Sequence, residues 1–343
     1  MLTDEHDQRV TPITKNMPSI LIVDTRRKGE MGQCEALAQA TGLPYQFTQE
    51  NALPETEPAL IFSFGSAVPR ALLLQKTFGG RPRIVQFGRP RLIALSRLDL
   101  IILMPQDDFP PAGNVIQLTM PLNGAGLQHP FVMPRPTQPG RSTTVLLGGP
   151  TRHFAYDRED VVCMLDEAEK LARLNGEILR VVPGPRTPEN IRSLLLSRYA
   201  ACPEIVDFRR LKDILESSNR LVVTADSASL IADAWRSGCP TWLYRLKPLF
   251  PPVQRLKIAF NRTAPALRYA LIRRGWLAGG TDFLRWHEVL LQEGLVRALN
   301  GADLAEPDWR RTDPMPDNEL VLCRDRVLTV IEKHENARLE VSL

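Results

Sequence analysis

RLVVTADSASLIADAWRSGCPTWLYRL, residues 220–246, carries a complete strand–helix–strand unit in one stretch. Arg220 to Asp226 is a short apolar run ending in polar residues, the pattern of a strand buried on both faces of a parallel sheet. Ser227 to Gly238 carries apolar residues at helical spacing and stops at a glycine. Pro240 to Leu246 returns to a β-rich run, so the stretch reads as strand, helix, strand.

The same alternation extends in both directions. TTVLLGGP (Thr143 to Pro150) is a strand running into a glycine pair. Asp157 is placed to cap a helix through Asn175, with Val161, Leu165, Ala168 and Ala172 at helical spacing and Gly176 as the stop. EILRVVP is a strand, and TPEN at Thr187 to Asn190 puts a cap residue before a proline that opens a helix to about Ala200. EIVDF reads as a strand and RLKDILESS as a short helix. Four βα repeats predict a parallel sheet with right-handed crossovers. Nearer the N-terminus, SILIVD (Ser19 to Asp24) is a strand. A loop, TRRKGEMG, precedes a helix with Cys34, Leu37 and Ala38 on one face, closed at Thr41-Gly42. ALIFSF, RIVQFG, LDLIILM and NVIQL add strands, with a helix after Ser66.

Between the two series lies HPFVMPRPTQPGRST, four prolines and a glycine in fifteen residues, unsuited to a helix or a central strand. The expected organisation is a tail over 1–16, an N-terminal α/β lobe over 17–135 and a linker over 136–143. A Rossmann-like nucleotide-binding lobe over 144–250 and a helical extension over 251–343 follow. The fold class is therefore α/β, two parallel-sheet lobes facing a cleft.

Composition narrows the function. The net charge is +4 and no run of four Lys or Arg occurs, which argues against nucleic acid and leaves anionic ligands or lipid headgroups as partners. The five cysteines are scattered without CxxC spacing, so free thiols in a reducing compartment are expected and no metal site. No apolar stretch reaches the length of a membrane span. The polar, acid-containing N-terminus is unlike a signal peptide, so the expected location is cytoplasmic, at most peripheral to the inner membrane.

Ligands of open parallel sheets sit beyond the carboxyl ends of the strands, where helix N-termini present unpaired amides. Three loops qualify in the second lobe. Gly148, Gly149 and Thr151 follow the first strand, but the pair is not a GxGxxG fingerprint, which argues against NAD. Arg186 and Thr187 follow the second, with Arg186 suited to a phosphate. Thr224, Asp226, Ser227 and Ser229 crowd the third, and capping explains one of the four. Asp233, one helical turn beyond Ser229, is a carboxylate fit to accept from a ribose diol. In the first lobe, Arg26, Lys28, Gly29 and Gln33 suit an anionic acceptor, and Gly88 with Arg89 sits similarly after RIVQFG. A general base is sought among Glu30, Asp24 and Asp226. His129 and His153 are isolated, and nucleophile-elbow, HExxH and P-loop patterns do not occur.

VVTADSASLIADAWRSGCPTWLY, VQFGRPR with LDLIILMPQDDFPPAGNVIQLTMPLN, and LLGGPTRHFAYD together resemble the mitochondrial-fission (elongated-mitochondria) family over roughly residues 19–290. That family in turn resembles GT-B glycosyltransferases. The resemblance implies a metal-independent transferase whose second lobe binds a nucleoside-diphosphate sugar as co-substrate, with no tightly bound cofactor. Gly149, Ser227 and Ser229 would hold the diphosphate, Asp233 the ribose, and Arg186 the charge on the leaving nucleotide. The acceptor would be a cell-envelope or lipid-linked molecule. Two departures stand out: Glu30 replaces an expected histidine, and TSRRTP is reduced to PGPRTP. They keep open a non-catalytic adaptor that recruits a membrane-remodelling partner. A nucleoside-diphosphate-sugar epimerase is a further alternative.

Overall fold

The computed structural model describes residues 18–48, 54, 56–123, 141–249, 264–299 and 318–341, with the side chains of the last helix described for 319–333. From the N-terminus run β1 (Ile20–Ile22), α1 (Lys28–Thr41), β2 (Tyr45–Phe47), β3 (Leu60–Phe64), α2 (Val68–Thr77), β4 (Arg83–Phe87), β5 (Leu100–Leu103), β6 (Asp107–Asp108) and β7 (Val115–Gln117). Next come β8 (Ser142–Leu147), α3 (Arg158–Leu174), β9 (Ile178–Pro183), α4 (Glu189–Arg198), α5 (Leu211–Ser217), β10 (Arg220–Thr224), α6 (Ala228–Arg236) and β11 (Thr241–Tyr244). The chain continues with α7 (Pro265–Arg273), β12 (Gly280–Thr281), α8 (Phe283–Gln292), β13 (Arg297–Ala298) and α9 (Asn318–Val341).

The chain divides into two compact units. Unit 1 is Met1–Leu127 with Asn261–Thr281 and Asp317–Leu343, and unit 2 is Gln128–Phe260 with Asp282–Pro316.

In unit 1 six strands lie in the order β2-β1-β3-β4-β5-β7, every neighbour parallel. Side chains alternate across a strand, so a run that is apolar throughout feeds two cores. Ile20, Ile22, Leu60, Phe62, Val85 and Phe87 face a core closed by α1 and α9 through Cys34, Leu37, Cys323 and Val327. Leu21, Ile61, Ile84 and Ile101, one residue out of phase, face a second core closed by α2 and α7 through Val68, Ala71, Leu74 and Ile272. Glu319 of α9 accepts from the amides of Thr119 (2.5 Å) and Met120 (3.2 Å), fixing that helix to the strand-end loops.

In unit 2 five strands lie in the order β13-β11-β10-β8-β9, again all parallel. Val145, Leu147, Val222 and Trp242 from the sheet pack with Val161, Leu165 and Ala168 of α3 and Ile191 and Leu195 of α4. The α3 residues stand at the helical spacing read from the sequence.

Several local expectations are corrected. TRRKGEMG is a loop only as far as Arg27; Lys28 to Gly32 form the first turns of α1. Glu30 lies in the first turn, where a carboxylate suits the helix dipole, and it pairs with Arg27 at 2.8 Å. EIVDF is a 3-10 turn over Pro203–Ile205, and Val206 makes a lone bridge to Val181. Asp207 then accepts from the Arg209 amide and turns the chain away before a ladder can grow. Strand β2 carries no alternation long enough to be read and forms on pairing with β1. Asp157 stands at the N-cap of α3 without a side-chain cap bond. Pro188, expected inside α4, is its N-cap, because the Thr187 hydroxyl donates to the Gly148 carbonyl instead of capping the helix. Of the expected linker, residues 136–140 lie outside the described residues, as do the tail over 1–16 and His129; Ser142 and Thr143 already belong to β8.

Candidate functional site

Each sheet reverses its direction of growth once. In unit 2, β9 is added on one side of β8 and β10 on the other, so the ends of β8 and β10 flank the point where a crevice opens in such sheets. The three loops nominated from the sequence converge there.

Their backbones approach closely enough to require glycine. A Cβ on Gly148 would lie 2.2 Å from Oδ2 of Asp226, one on Gly149 would lie 2.1 Å from the Arg186 carbonyl oxygen, and one on Gly184 would lie 2.5 Å from the Leu147 carbonyl oxygen. The Gly148 amide donates to Thr224 Oγ1 at 2.9 Å and the Gly149 amide to Asp226 Oδ2 at 3.0 Å. Arg186 reaches the same Oδ2 at 3.1 Å. Arg192 of α4 donates to the Gly184 and Thr187 carbonyls and braces the second loop from behind.

Asp226 is therefore a buried keystone. Its side chain is fully enclosed while Arg186 stays half exposed. Burial pushes the carboxyl above its usual range, opposed by the Gly149 amide and the Arg186 charge. The Gly149 amide, read from the sequence as a phosphate donor, is engaged by this carboxylate. Thr151 is also engaged, its Oγ1 accepting from the His153 and Phe154 amides at 3.2 Å each.

The outer part of the site belongs to α6. Ser227 is its N-cap, with no side-chain cap bond, and no acidic residue lies in the first turn. The Ser227 and Ser229 hydroxyls are 3.3 Å apart and partly exposed. Asp233 lies further along the helix, partly buried, and burial pushes its carboxyl up to about 6 against the pull of Arg236.

Two residues at this end of the sheet were not singled out from the sequence. Tyr156 is mostly buried beside Asp226 and Arg186; burial first, then the Asp226 charge, hold its hydroxyl in the protonated form. It closes the LLGGPTRHFAYD motif, so its position there was a usable signal. His287, 1% exposed on α8, makes a backbone hydrogen bond at Ala225. It lies in a ring cluster with Phe154, Phe283 and Trp286. Burial first, then the Arg245 charge, depress its pKa to about 4, so the ring is neutral. Nothing local in the sequence connects a histidine at 287 with a strand that ends at 224.

Unit 1 has its own reversal, between β1 and β3, beside the loop that enters α1. Asp24 Oδ1 accepts from the Arg26 amide at 2.7 Å and holds Arg26 at a φ of +60°. Arg26 and Lys28 are exposed. Gln33 is buried and structural: it accepts from the Leu122 amide and donates to the Gly29 carbonyl, which also accepts from Asn123. Gly88 supplies a φ of +68°. Arg89, expected as an open cation, is a clamp: it pairs with Asp107 at 2.8 Å and donates to the Gly279 carbonyl and the Thr281 hydroxyl. That fork of donors ties the end of β4 to the two-stranded β6–β12 ribbon.

Residues 19–262 match the family model described as Mitochondrial fission ELM1. No functionally curated protein matches the sequence. Similar solved structures include the glycotransferase of kitacinnamycin (11% identity, 94% of this chain and 98% of that chain, TM-score 0.39). An α1,3-fucosyltransferase (10%, 94% and 92%, 0.38) and a wall teichoic acid polymerase (12%, 92% and 83%, 0.34) are also similar.

Proposed function

The chain belongs to the mitochondrial fission ELM1 family, and from that premise we propose that unit 2 binds a nucleoside-diphosphate sugar and that the protein acts as a glycosyltransferase. The observation that carries this reading is the start of α6. Its first-turn amides are free of a side-chain cap, two hydroxyls stand beside them, and half-exposed Arg186 is held alongside by Asp226. Uncapped amides and a guanidinium at a switch point form an anion seat.

In this assignment Ser227, Ser229 and Arg186 hold the diphosphate and Asp233 takes the ribose hydroxyls. Gly148, Gly149, Thr187 and Thr224 shape the seat, and Asp226 orients Arg186 while keeping part of its charge outward. Arg186 then stabilises charge developing on the departing nucleotide, which needs no metal. Arg26 and Lys28, at the reversal of the unit 1 sheet, suit an anionic cell-envelope or lipid-linked acceptor.

Thermal shift against UDP-, GDP-, ADP- and CMP-sugars tests the reading. A donor at a hundred times its Kd stabilises the bound fold by about 2.7 kcal/mol. The double variant Ser227→Ala with Ser229→Ala is expected to lose that shift and stay folded. A panel in which no donor moves the wild-type transition rejects the assignment.

One observation favours a second reading, a binding adaptor without transfer. Two of the groups nominated for catalysis are engaged locally, Asp24 with the Arg26 amide and Glu30 with Arg27. Donor binding without release of free nucleotide in the presence of cell-envelope extracts would select it.

A further inference from the structure

The second core of unit 1 is roofed by α2, the segment 92–98 and α7. The stretches that build this roof, residues 68–78, 89–98 and 264–279, contain eight Lys or Arg and not one Asp or Glu, in a chain whose net charge is only +4. Two of the eight are inward and neutralised, Arg89 by Asp107 and Arg268 by Asp108. The others face outward.

Large apolar side chains are exposed on the same roof: Trp276 is 71% exposed, Leu92 62% and Leu267 56%. Gly275, which precedes Trp276, packs against the backbone of Ile93 and Ala94, next to Leu92 in the chain. Its φ is +74°, and a Cβ there would lie 2.5 Å from the Ala94 nitrogen, so the turn after α7 rests on the 92–94 segment. Leu92 is held at a φ of +52°, a conformation costly for a bulky residue, with its side chain in water. Arg274 lies 5.6 Å over the Trp276 ring; Arg273 beside it in sequence and Arg91 beside Leu92 are exposed. Among the described residues no helix is long and apolar enough to cross a membrane.

We propose that this roof is a peripheral docking surface for an anionic lipid bilayer. Trp276 and Leu92 enter the boundary between headgroups and acyl chains, and Arg91, Arg273 and Arg274 meet lipid phosphates. The chemistry selects a membrane over a nucleic acid because exposed leucines gain nothing from a phosphate backbone and gain from an acyl boundary. An indole with a cation over its face suits the headgroup level. A basic residue at an anionic surface adds about a fivefold gain in affinity.

The test is co-sedimentation of the full chain with vesicles of phosphatidylcholine alone and of phosphatidylcholine mixed with phosphatidylglycerol. The wild type is expected to bind the mixed vesicles, to ignore the neutral ones and to be released by salt. Arg273→Gln with Arg274→Gln is expected to weaken binding about 25-fold, five for each charge. Trp276→Ser should weaken it at least about tenfold. Unchanged circular dichroism and urea midpoints show that the variants fold, and Leu92→Ser replaces Trp276→Ser if that one does not. Absence of binding to mixed vesicles overturns the proposal, as does equal binding by wild type and both variants. Binding to single-stranded RNA in place of vesicles also overturns it. None of these outcomes depends on nucleotide binding by unit 2.

Discussion

Asp233→Asn is expected to stabilise the protein at neutral pH while weakening its hold on a nucleotide. The carboxyl is pushed from its ordinary 3.8 up to about 6 because burial in α6 penalises the ionised form and Arg236 only partly offsets this. A folded-state value above the unfolded one means that the folded chain holds the proton more tightly. The stability it contributes is full below 3.8 and is lost as pH rises through about 6. The full difference corresponds to about 3 kcal/mol, and water at the partly exposed side chain brings it to about 2. Asparagine keeps the shape and removes the charge. Urea midpoints of the two proteins should coincide near pH 3.5, separate through pH 4 to 6, and differ by about 2 kcal/mol at pH 7.5. A variant equally or less stable at pH 7.5, with no pH-dependent gap, would show that burial does not penalise the Asp233 charge. The same variant should bind a nucleoside diphosphate less tightly by calorimetry, since a strained carboxylate retained at a site is the signature of a functional compromise. Unchanged affinity removes Asp233 from the ribose.

Other expectations follow from the same contacts. Gly148→Ala drives a methyl into the Asp226 carboxylate and should cost about 2–3 kcal/mol by thermal unfolding. Adding Asp226→Ala should recover part of that loss, and strict additivity would show that the contact is not the cause. Arg89→Ala removes the guanidinium counter-charge from buried Asp107, which keeps the Met104 amide, and should cost about 3–5 kcal/mol. Arg89→Lys should recover little of that, because a lysine cannot span three acceptors, and full rescue would contradict the clamp. His287, with its pKa lowered to about 4, stabilises fully above its ordinary 6.5 and loses that contribution as pH falls toward 4. His287→Gln should therefore flatten acid denaturation across that window by about 3 kcal/mol, and an unchanged acid limb of the urea-midpoint profile would show that the ring is not held neutral.

The class of fold was legible in the residues alone, and so was the place of the three strand-end loops of unit 2. Short continuous apolar runs such as SILIVD and RLVVTAD, bounded by turn residues, fit strands buried on both faces, and helical stretches between them make parallel order the natural arrangement. Parallel order in turn puts every strand-to-helix turn at the same end of its sheet, so the Gly148, Arg186 and Asp226 loops are legible as neighbours from the order of elements alone. The motifs that carry the family resemblance lie in those same turns, and Tyr156 was within reach there.

What the sequence could not decide was which polar groups face outward. Asp226, Gln33 and Arg89 look like site residues in a string of letters, and each is consumed by a partner far along the chain: Gly149, Leu122 and Gly279. His287 entered the site from a helix beyond the second unit's main run, and α9 closed the first unit's core from the far end of the chain. The roof of unit 1 likewise joins segments nearly two hundred positions apart, and neither segment alone shows a surface. Local propensity and periodicity act over a few turns. Burial and charge compensation are settled only when distant segments pack, and there the tertiary structure alone chose between a ligand-binding group and a structural one.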